Sequence, residues 1–213
     1  MHLVRSLILF VPVLAILVPE VGTQTPPPQN PPPTPPAGVQ PSQRGGRGRG
    51  GVQILTLSTS AWSEGGTIPH MHTQRGEDTS PPLSWSAPPD GTASFVLIVH
   101  DLNAATGNGI DDFLHWLVWN IPGTARSLPA AVPQGPDLPD GSRQISASGP
   151  YYRGPAAPAT GPPHHYVFEL FALDTMLDVP AVGASPAATR AAVIAAMARH
   201  VRGKGVLLGL YKR

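Results

Sequence analysis

Cysteine is absent from the 213-residue sequence, and charged residues are scarce. Without thiols the chain forms no disulfide, so the folded part must be stabilised by packing alone. Only 13% of residues are charged and the formal net charge is +1. This balance excludes a global electrostatic attraction to nucleic acid or to an anionic membrane, so any charged partner must be recognised locally. The 41% of hydrophobic residues are enough for one sizeable domain.

The N-terminal residues 1–23 have the pattern of a secretory signal peptide. Arg5 precedes an apolar run over residues 7–18, and small residues follow near Gly22. Because this run is short for a membrane span and is interrupted by Pro12, a retained anchor is the less favoured alternative. We therefore expect a secreted or periplasmic protein that is not an integral membrane protein once the signal is removed.

Residues 24–51 are rich first in proline and then in arginine and glycine. A proline tract favours extended polyproline II and buries little apolar surface, so this segment is predicted to be a disordered linker. Its Arg/Gly stretch could bind RNA, but it contains only three arginines and no aromatic residue, which favours a flexible basic spacer. The ordered domain is expected over residues 52–213.

Four short runs in this domain predict β-strands, because they are rich in β-branched and aromatic residues and are bounded by Gly, Pro or Asp. They cover residues 53–57, 94–100, 114–121 and 166–173. No helical pattern separates consecutive strands, as a parallel βαβ arrangement would require. The sequence therefore predicts a mostly β fold, a largely antiparallel sandwich.

One helix is predicted late in the chain. Ser185 is suited to cap it, Pro186 fits its first turn, and Gly203 is expected to end it. Ile194 and Met197 fall on one helical face and are interpreted as core contacts. Residues 206–211 then predict a closing strand.

Several separated motifs have the order and spacing of a known family. They are Gly66-Thr67-Ile68-Pro69 leading to His72, the run from Asp78 to Trp85, the acidic segment at Asp101, His115-Trp116 with Asn120-Ile121-Pro122, and His164-His165-Tyr166-Val167-Phe168. Over about residues 54–213 the chain resembles the phosphatidylethanolamine-binding protein family, in its bacterial Raf kinase inhibitor-like branch.

The resemblance implies a sandwich of two antiparallel sheets with a C-terminal helix, and a small pocket for phosphate or a phospholipid head group. It places ligand-binding residues at Asp101, His115, His164 and Tyr166. Imidazole N–H and phenol O–H groups donate hydrogen bonds to an anion, whereas Asp101 is suited to fix a histidine tautomer or to pair with a ligand ammonium group. His165 should point to the opposite face of its strand.

The sequence departs from the family pattern at the acidic segment. Where the family has Asp-Pro-Asp-Ala-Pro, this chain has Asp-Leu-Asn-Ala-Ala over residues 101–105. The second carboxylate is therefore replaced by Asn103, or by Asp111 or Asp112 from the following connection; alternatively, those two aspartates belong to a solvated acidic loop. The glycine that lies beside the anion in the family falls somewhere in residues 154–156.

Other functions are less well supported by the sequence. His70 and His72 resemble a metal-binding pair, but no further ligand has a zinc-like spacing, so neither a metal nor a cofactor is expected. No Gly-x-Ser-x-Gly motif marks a nucleophile, and we expect no enzyme activity. The leading hypothesis is an exported anion-binding protein without turnover. The alternatives are an inhibitor or regulator of a protease or kinase that acts through the pocket rim, with a protein partner, and a weak ester or phosphoester hydrolase.

Overall fold

The computed structural model describes residues 51–106, 109, 111–183 and 185–213. The predicted signal peptide and nearly all of the predicted linker lie outside these residues. Among the described residues, no helix is both long and apolar enough to cross a membrane.

The domain is mostly β with one α-helix, as the sequence predicts. The elements, in chain order, are β1 (Gln53–Ser58), β2 (Gly66–Thr67), β3 (Leu83–Trp85), β4 (Ser94–Thr106), β5 (Asp111–Pro122), β6 (Ser127–Leu128), β7 (Arg143–Ile145), β8 (His164–Leu173), α1 (Pro186–Met197) and β9 (Val201–Tyr211). All five predicted strands are present, as β1, β4, β5, β8 and β9, and each is longer than predicted.

The strands join in one mixed sheet rather than in two separate antiparallel sheets. Their order within the described residues is β6-β3-β1-β9-β8-β4-β5-β7, with β2 also paired to β9. Both β1 and β2 run parallel to β9, whereas the other pairs are antiparallel. Trp85 on β3 contacts Phe95 on β4 at a ring distance of 5.2 Å although three strands lie between them, so the sheet curls over its own core.

Strands β4 and β5 bury both faces, which explains their continuous apolar runs, whereas β8 and β9 bury mainly one face. On β4, Phe95, Leu97 and Val99 lie in the core enclosed by the curled sheet. Val96 and Ile98 point the other way and pack in a second core with helix α1. Because side chains alternate along a strand, Asp101 falls on the enclosed side and His100 on the helix side. The two faces of β4 therefore present different polar groups.

Helix α1 begins as predicted but ends earlier. The Ser185 hydroxyl accepts a hydrogen bond from the Ala188 N–H at 3.1 Å, and the helix stops at Met197. Arg199 has a φ of 72°, which turns the chain into β9 before Gly203. The prediction for Met197 is confirmed, but Ile194 is 48% exposed and Val193 is buried in its place. The predicted apolar face was rotated by one residue relative to the real contact face.

Candidate functional site

The four predicted ligand-binding residues lie together at the ends of three neighbouring strands. β4 lies between β5 and β8, and Asp101 is paired with Phe113 on one side and with Tyr166 on the other. A pocket of about 340 Å³ opens here, which we call the Asp101 pocket. Asp101, His115, His164 and Tyr166 line it, together with Gln74, Ala104, Phe113 and residues 156–158.

A β-bulge brings His115 into this pocket. Val99 pairs with Trp116 while the next residue, His100, pairs with Leu114, so His115 is an extra residue on β5. A bulge of this kind redirects a side chain beside a site. As a result His115 and Trp116 both lie on the enclosed side of the sheet, with His115 in the pocket and Trp116 in the core.

The hydrogen bond made by His115 fixes its tautomer. Its Nδ1 lies 2.6 Å from the Arg153 carbonyl oxygen, which only accepts, so Nδ1 carries a proton. Burial lowers the pKa of His115, although the Arg153 carbonyl and the nearby Asp101 act in the opposite direction. The ring is therefore neutral at physiological pH, and Nε2 presents a lone pair to the pocket.

Asp101 organises the opposite wall of the pocket. One carboxylate oxygen accepts a hydrogen bond from His164 Nδ1 at 2.8 Å, and the other accepts from the backbone N–H groups of Asn103 and Ala104 at 2.9 and 3.2 Å. The residue is only 3% exposed. Asp101 thus fixes the orientation of His164, and its carboxylate is already engaged by three donors of the protein.

Tyr166 offers a donor that the described part of the protein does not use. The residue is 1% exposed, and its hydroxyl has no hydrogen-bond partner among the described residues. Burial raises the pKa of Tyr166 well above its usual range, and the nearby Asp101 carboxylate adds to this, whereas the backbone at Ala156 and Ala157 acts in the opposite direction. The hydroxyl therefore keeps its proton, and although these groups lie near it, none of them meets hydrogen-bond geometry. Its ring lies edge-on to His115 at 5.1 Å and stacks with His164 at 6.5 Å. A buried hydroxyl without a partner is costly, and it marks a position where a ligand can accept.

Asp78 is a positioning residue of the site that sequence reasoning did not single out. Its carboxylate accepts from the Gly154 N–H at 2.6 Å and from Arg153 Nη1 at 2.8 Å. Gln74 holds the same segment by donating to the Gly154 carbonyl at 2.7 Å. Asp78 opens one of the family motifs, but nothing local in the sequence indicates a partner 76 residues away.

Replacing Asp78 with Ala should destabilise the domain by about 2 kcal/mol, because the Gly154 N–H and the Arg153 guanidinium lose a shared acceptor. Asp78 also has a φ of 56°, which Asp tolerates better than Ala. Urea denaturation measures this effect. Asp137→Ala is the matched control, since Asp137 is 69% exposed and pairs with Arg143 at 3.5 Å. A change below about 0.5 kcal/mol is expected there, and an equally small change for Asp78→Ala would contradict the positioning role.

No candidate for the missing second carboxylate reaches the Asp101 pocket. Asp112 lies on the opposite side of the sheet, where it pairs with His100 and Arg190. Although burial opposes its ionisation, the hydrogen bonds from Arg190 and His100 lower the pKa of Asp112. Asp111 borders a different cavity, and the Asn103 oxygen accepts from the His165 N–H at 2.8 Å. The prediction that Asp112 replaces the family's second carboxylate is thus wrong. The alternative, a solvated loop position, is also wrong for Asp112, because it lies in strand β5 and is paired with His100 and Arg190.

A larger cavity, of about 570 Å³, lies between α1 and the start of β5. Its walls include Phe113, Ala191 and Ile194, and its Asp112 and Arg190 neutralise each other. We regard the smaller Asp101 pocket as the candidate site, because an unpartnered hydroxyl and two imidazoles converge there. His165 is exposed on the outer face, away from this pocket, as its position in the strand predicts.

The sequence and the fold of the domain match those of known proteins. The family described as phosphatidylethanolamine-binding protein matches residues 58–212. A UPF0098 protein of Methanothermobacter thermautotrophicus is 40% identical over 161 residues, which are 75% of this chain and 99% of the relative. A UPF0098 protein of Aquifex aeolicus is 34% identical over 76% of this chain and 91% of its own length. The crystal structure of Escherichia coli YbcL, described as a new member of the mammalian PEBP family, superposes with a TM-score of 0.62 at 27% identity, covering 75% of this chain and 98% of YbcL.

Proposed function

Because this chain belongs to the phosphatidylethanolamine-binding protein family, we propose that it is an exported binding protein whose Asp101 pocket holds phosphate or a phospholipid head group without turnover. Export is supported by the signal-like pattern of residues 1–23. The absence of turnover is supported by the sequence, which contains no Gly-x-Ser-x-Gly motif.

The observation that carries this proposal is the buried Tyr166 hydroxyl, which has no partner in the described part of the protein and faces two imidazoles. His115 and His164 each use Nδ1 in a hydrogen bond to the protein, so their Nε2 atoms remain for a ligand. Hydrogen bonds to a charged acceptor contribute about 1.5–3 kcal/mol each. The Tyr166 hydroxyl donates such a bond directly, and an Nε2 atom contributes one where a proton lies between it and a ligand oxygen.

Adjacent histidines of β8 provide a direct test. His164→Ala should weaken phosphate binding by about tenfold, because one charge-assisted hydrogen bond is lost. His165→Ala is the matched control: it removes the same side chain one residue later, from the exposed face of the strand. Its affinity should stay within about twofold of the wild type. Isothermal titration of the secreted domain with inorganic phosphate measures both.

The ligand series separates the two sources of the anion. Inorganic phosphate, phosphoethanolamine, and vesicles of phosphatidylcholine with and without phosphatidylethanolamine are titrated in parallel. If the protein binds the soluble phosphates but neither kind of vesicle, the ligand is a free phosphate. If it also binds the vesicles that contain phosphatidylethanolamine, and not those of phosphatidylcholine alone, the ligand is a lipid head group. If the two alanine variants bind phosphate equally well, the Asp101 pocket is not the anion site.

A further inference from the structure

The polarity of the Asp101 pocket restricts the protonation state of its ligand. Tyr166 contributes a hydroxyl donor, whereas His115 contributes a lone pair at Nε2, since its ring proton is held on Nδ1 by the Arg153 carbonyl. A bare lone pair facing an anionic oxygen is repulsive. A fully ionised oxyanion would therefore find a hydrogen-bond donor at the Tyr166 hydroxyl but none at His115 Nε2, unless one more proton is bound there.

The charged groups around the pocket also disfavour a fully ionised ligand. No lysine or arginine is among its described lining residues, and the Arg153 guanidinium that lies behind it is paired with Asp78 at 2.8 Å. The carboxylate of Asp101 is buried in the wall, with its side chain only 5% exposed. A dianion would therefore meet a buried like charge whose partner is the His164 imidazole, with no lysine or arginine of the described lining to compensate it, which is unfavourable in a poorly solvated site.

We propose that the Asp101 pocket takes up one proton from solvent together with its anion, held between His115 Nε2 and a ligand oxygen. The inference rests on the proposed function and deepens it. It assigns the ligand to oxyanions that are basic enough to share this proton near neutral pH, such as phosphate or a phosphomonoester. A hydrogen-bearing oxyanion is favoured over one that stays fully ionised at neutral pH, such as sulfate.

The groups that face His115 determine the sign of the pH dependence. They are Asp101 from β4, His164 and Tyr166 from β8, and Asp78 and Arg153 from the loops. Burial holds the pKa of His115 below its usual value in the ligand-free protein. A bound anion adds negative charge beside Nε2 and raises that pKa. The complex therefore binds more protons than the free components, and affinity falls as the pH rises above the ligand-free pKa.

Isothermal titration of the domain with phosphate and with sulfate, in buffers of different ionisation enthalpy, measures this proton uptake. At about pH 8 phosphate should bind with uptake of roughly one proton, and its Kd should rise about tenfold per pH unit above neutrality. Phosphate should bind at least about tenfold more tightly than sulfate at that pH. In His115→Gln, whose amide can donate without titrating, proton uptake and the preference for phosphate should both disappear. His165→Gln, whose side chain is exposed and lies outside the pocket lining, should retain proton uptake.

The possible failures are distinguishable. Absence of phosphate binding from about pH 5.5 to 8.5 would overturn the proposed function itself. Phosphate binding with no proton uptake and a flat pH profile would leave that function intact and reject the proton-linked mechanism. Loss of uptake in His164→Gln but not in His115→Gln would reject the assignment of the proton to His115.

Discussion

Replacing Tyr166 with Phe should weaken phosphate binding by about 10- to 100-fold, while the domain becomes no less stable. The hydroxyl is buried, keeps its proton, and has no partner in the described protein, so a bound anion is the acceptor that it lacks. Removing a buried donor without a partner leaves nothing in the protein unsatisfied, and stability should be unchanged or rise by up to about 1 kcal/mol. Titration with phosphate and urea denaturation of the same preparation measure the two effects.

Tyr152→Phe is the matched control, because it deletes the same atom from another buried tyrosine. The Tyr152 hydroxyl donates to the His72 carbonyl at 2.9 Å and lies outside the pocket lining. Its loss should cost about 1 kcal/mol of stability and change phosphate affinity by less than about twofold. The opposite pattern, with Tyr166→Phe destabilising the fold and binding phosphate normally, would show that the Tyr166 hydroxyl has a structural partner rather than a ligand.

Local patterns were sufficient to predict the five longest strands and the start of the helix. β4 and β8 consist of β-branched and aromatic residues bounded by turn formers, and Ser185 with Pro186 is a direct capping signal. The connection of the strands was not predictable in the same way. β1 pairs in parallel with β9, for example Leu55 with Gly205, across most of the domain sequence. Nothing in either segment specifies that partner, and this pairing converts the expected two-sheet sandwich into one curled mixed sheet.

The site was partly predictable for a geometric reason. Asp101 and Tyr166 are paired neighbours on adjacent strands, and the resemblance supplied both motifs together with their face of the sheet. The suggestion for Asp112 failed because β5 begins at Asp111, three positions before the predicted start, which fixes that carboxylate on the helix side. The bulge at His115 and the Asp78 contacts to residues 153 and 154 depend on tertiary packing, for which a single sequence contains no periodic signal.

Gly154→Ala should destabilise the domain by about 3 kcal/mol, the largest stability change that we expect near the pocket. A Cβ at this position would lie 2.3 Å from the His72 carbonyl oxygen and 2.8 Å from Asp78 Oδ1. Since the first contact is with backbone, the clash cannot be relieved by a change of rotamer, and the segment must move. The same segment carries the Arg153 carbonyl that holds His115, so phosphate affinity should fall together with stability.

Gly51→Ala separates this steric effect from the general effect of replacing glycine. A Cβ at Gly51 would meet nothing within 4 Å, so the change in stability should be within about 0.5 kcal/mol of zero. Urea denaturation gives the stability of both variants, and the NMR chemical shifts of the His115 ring report whether its hydrogen bond to Arg153 persists. A Gly154→Ala variant with wild-type stability and unchanged His115 ring chemical shifts would contradict this prediction. It would mean that the backbone at residues 153–154 can move to accept a Cβ, and that its close packing does not position His115.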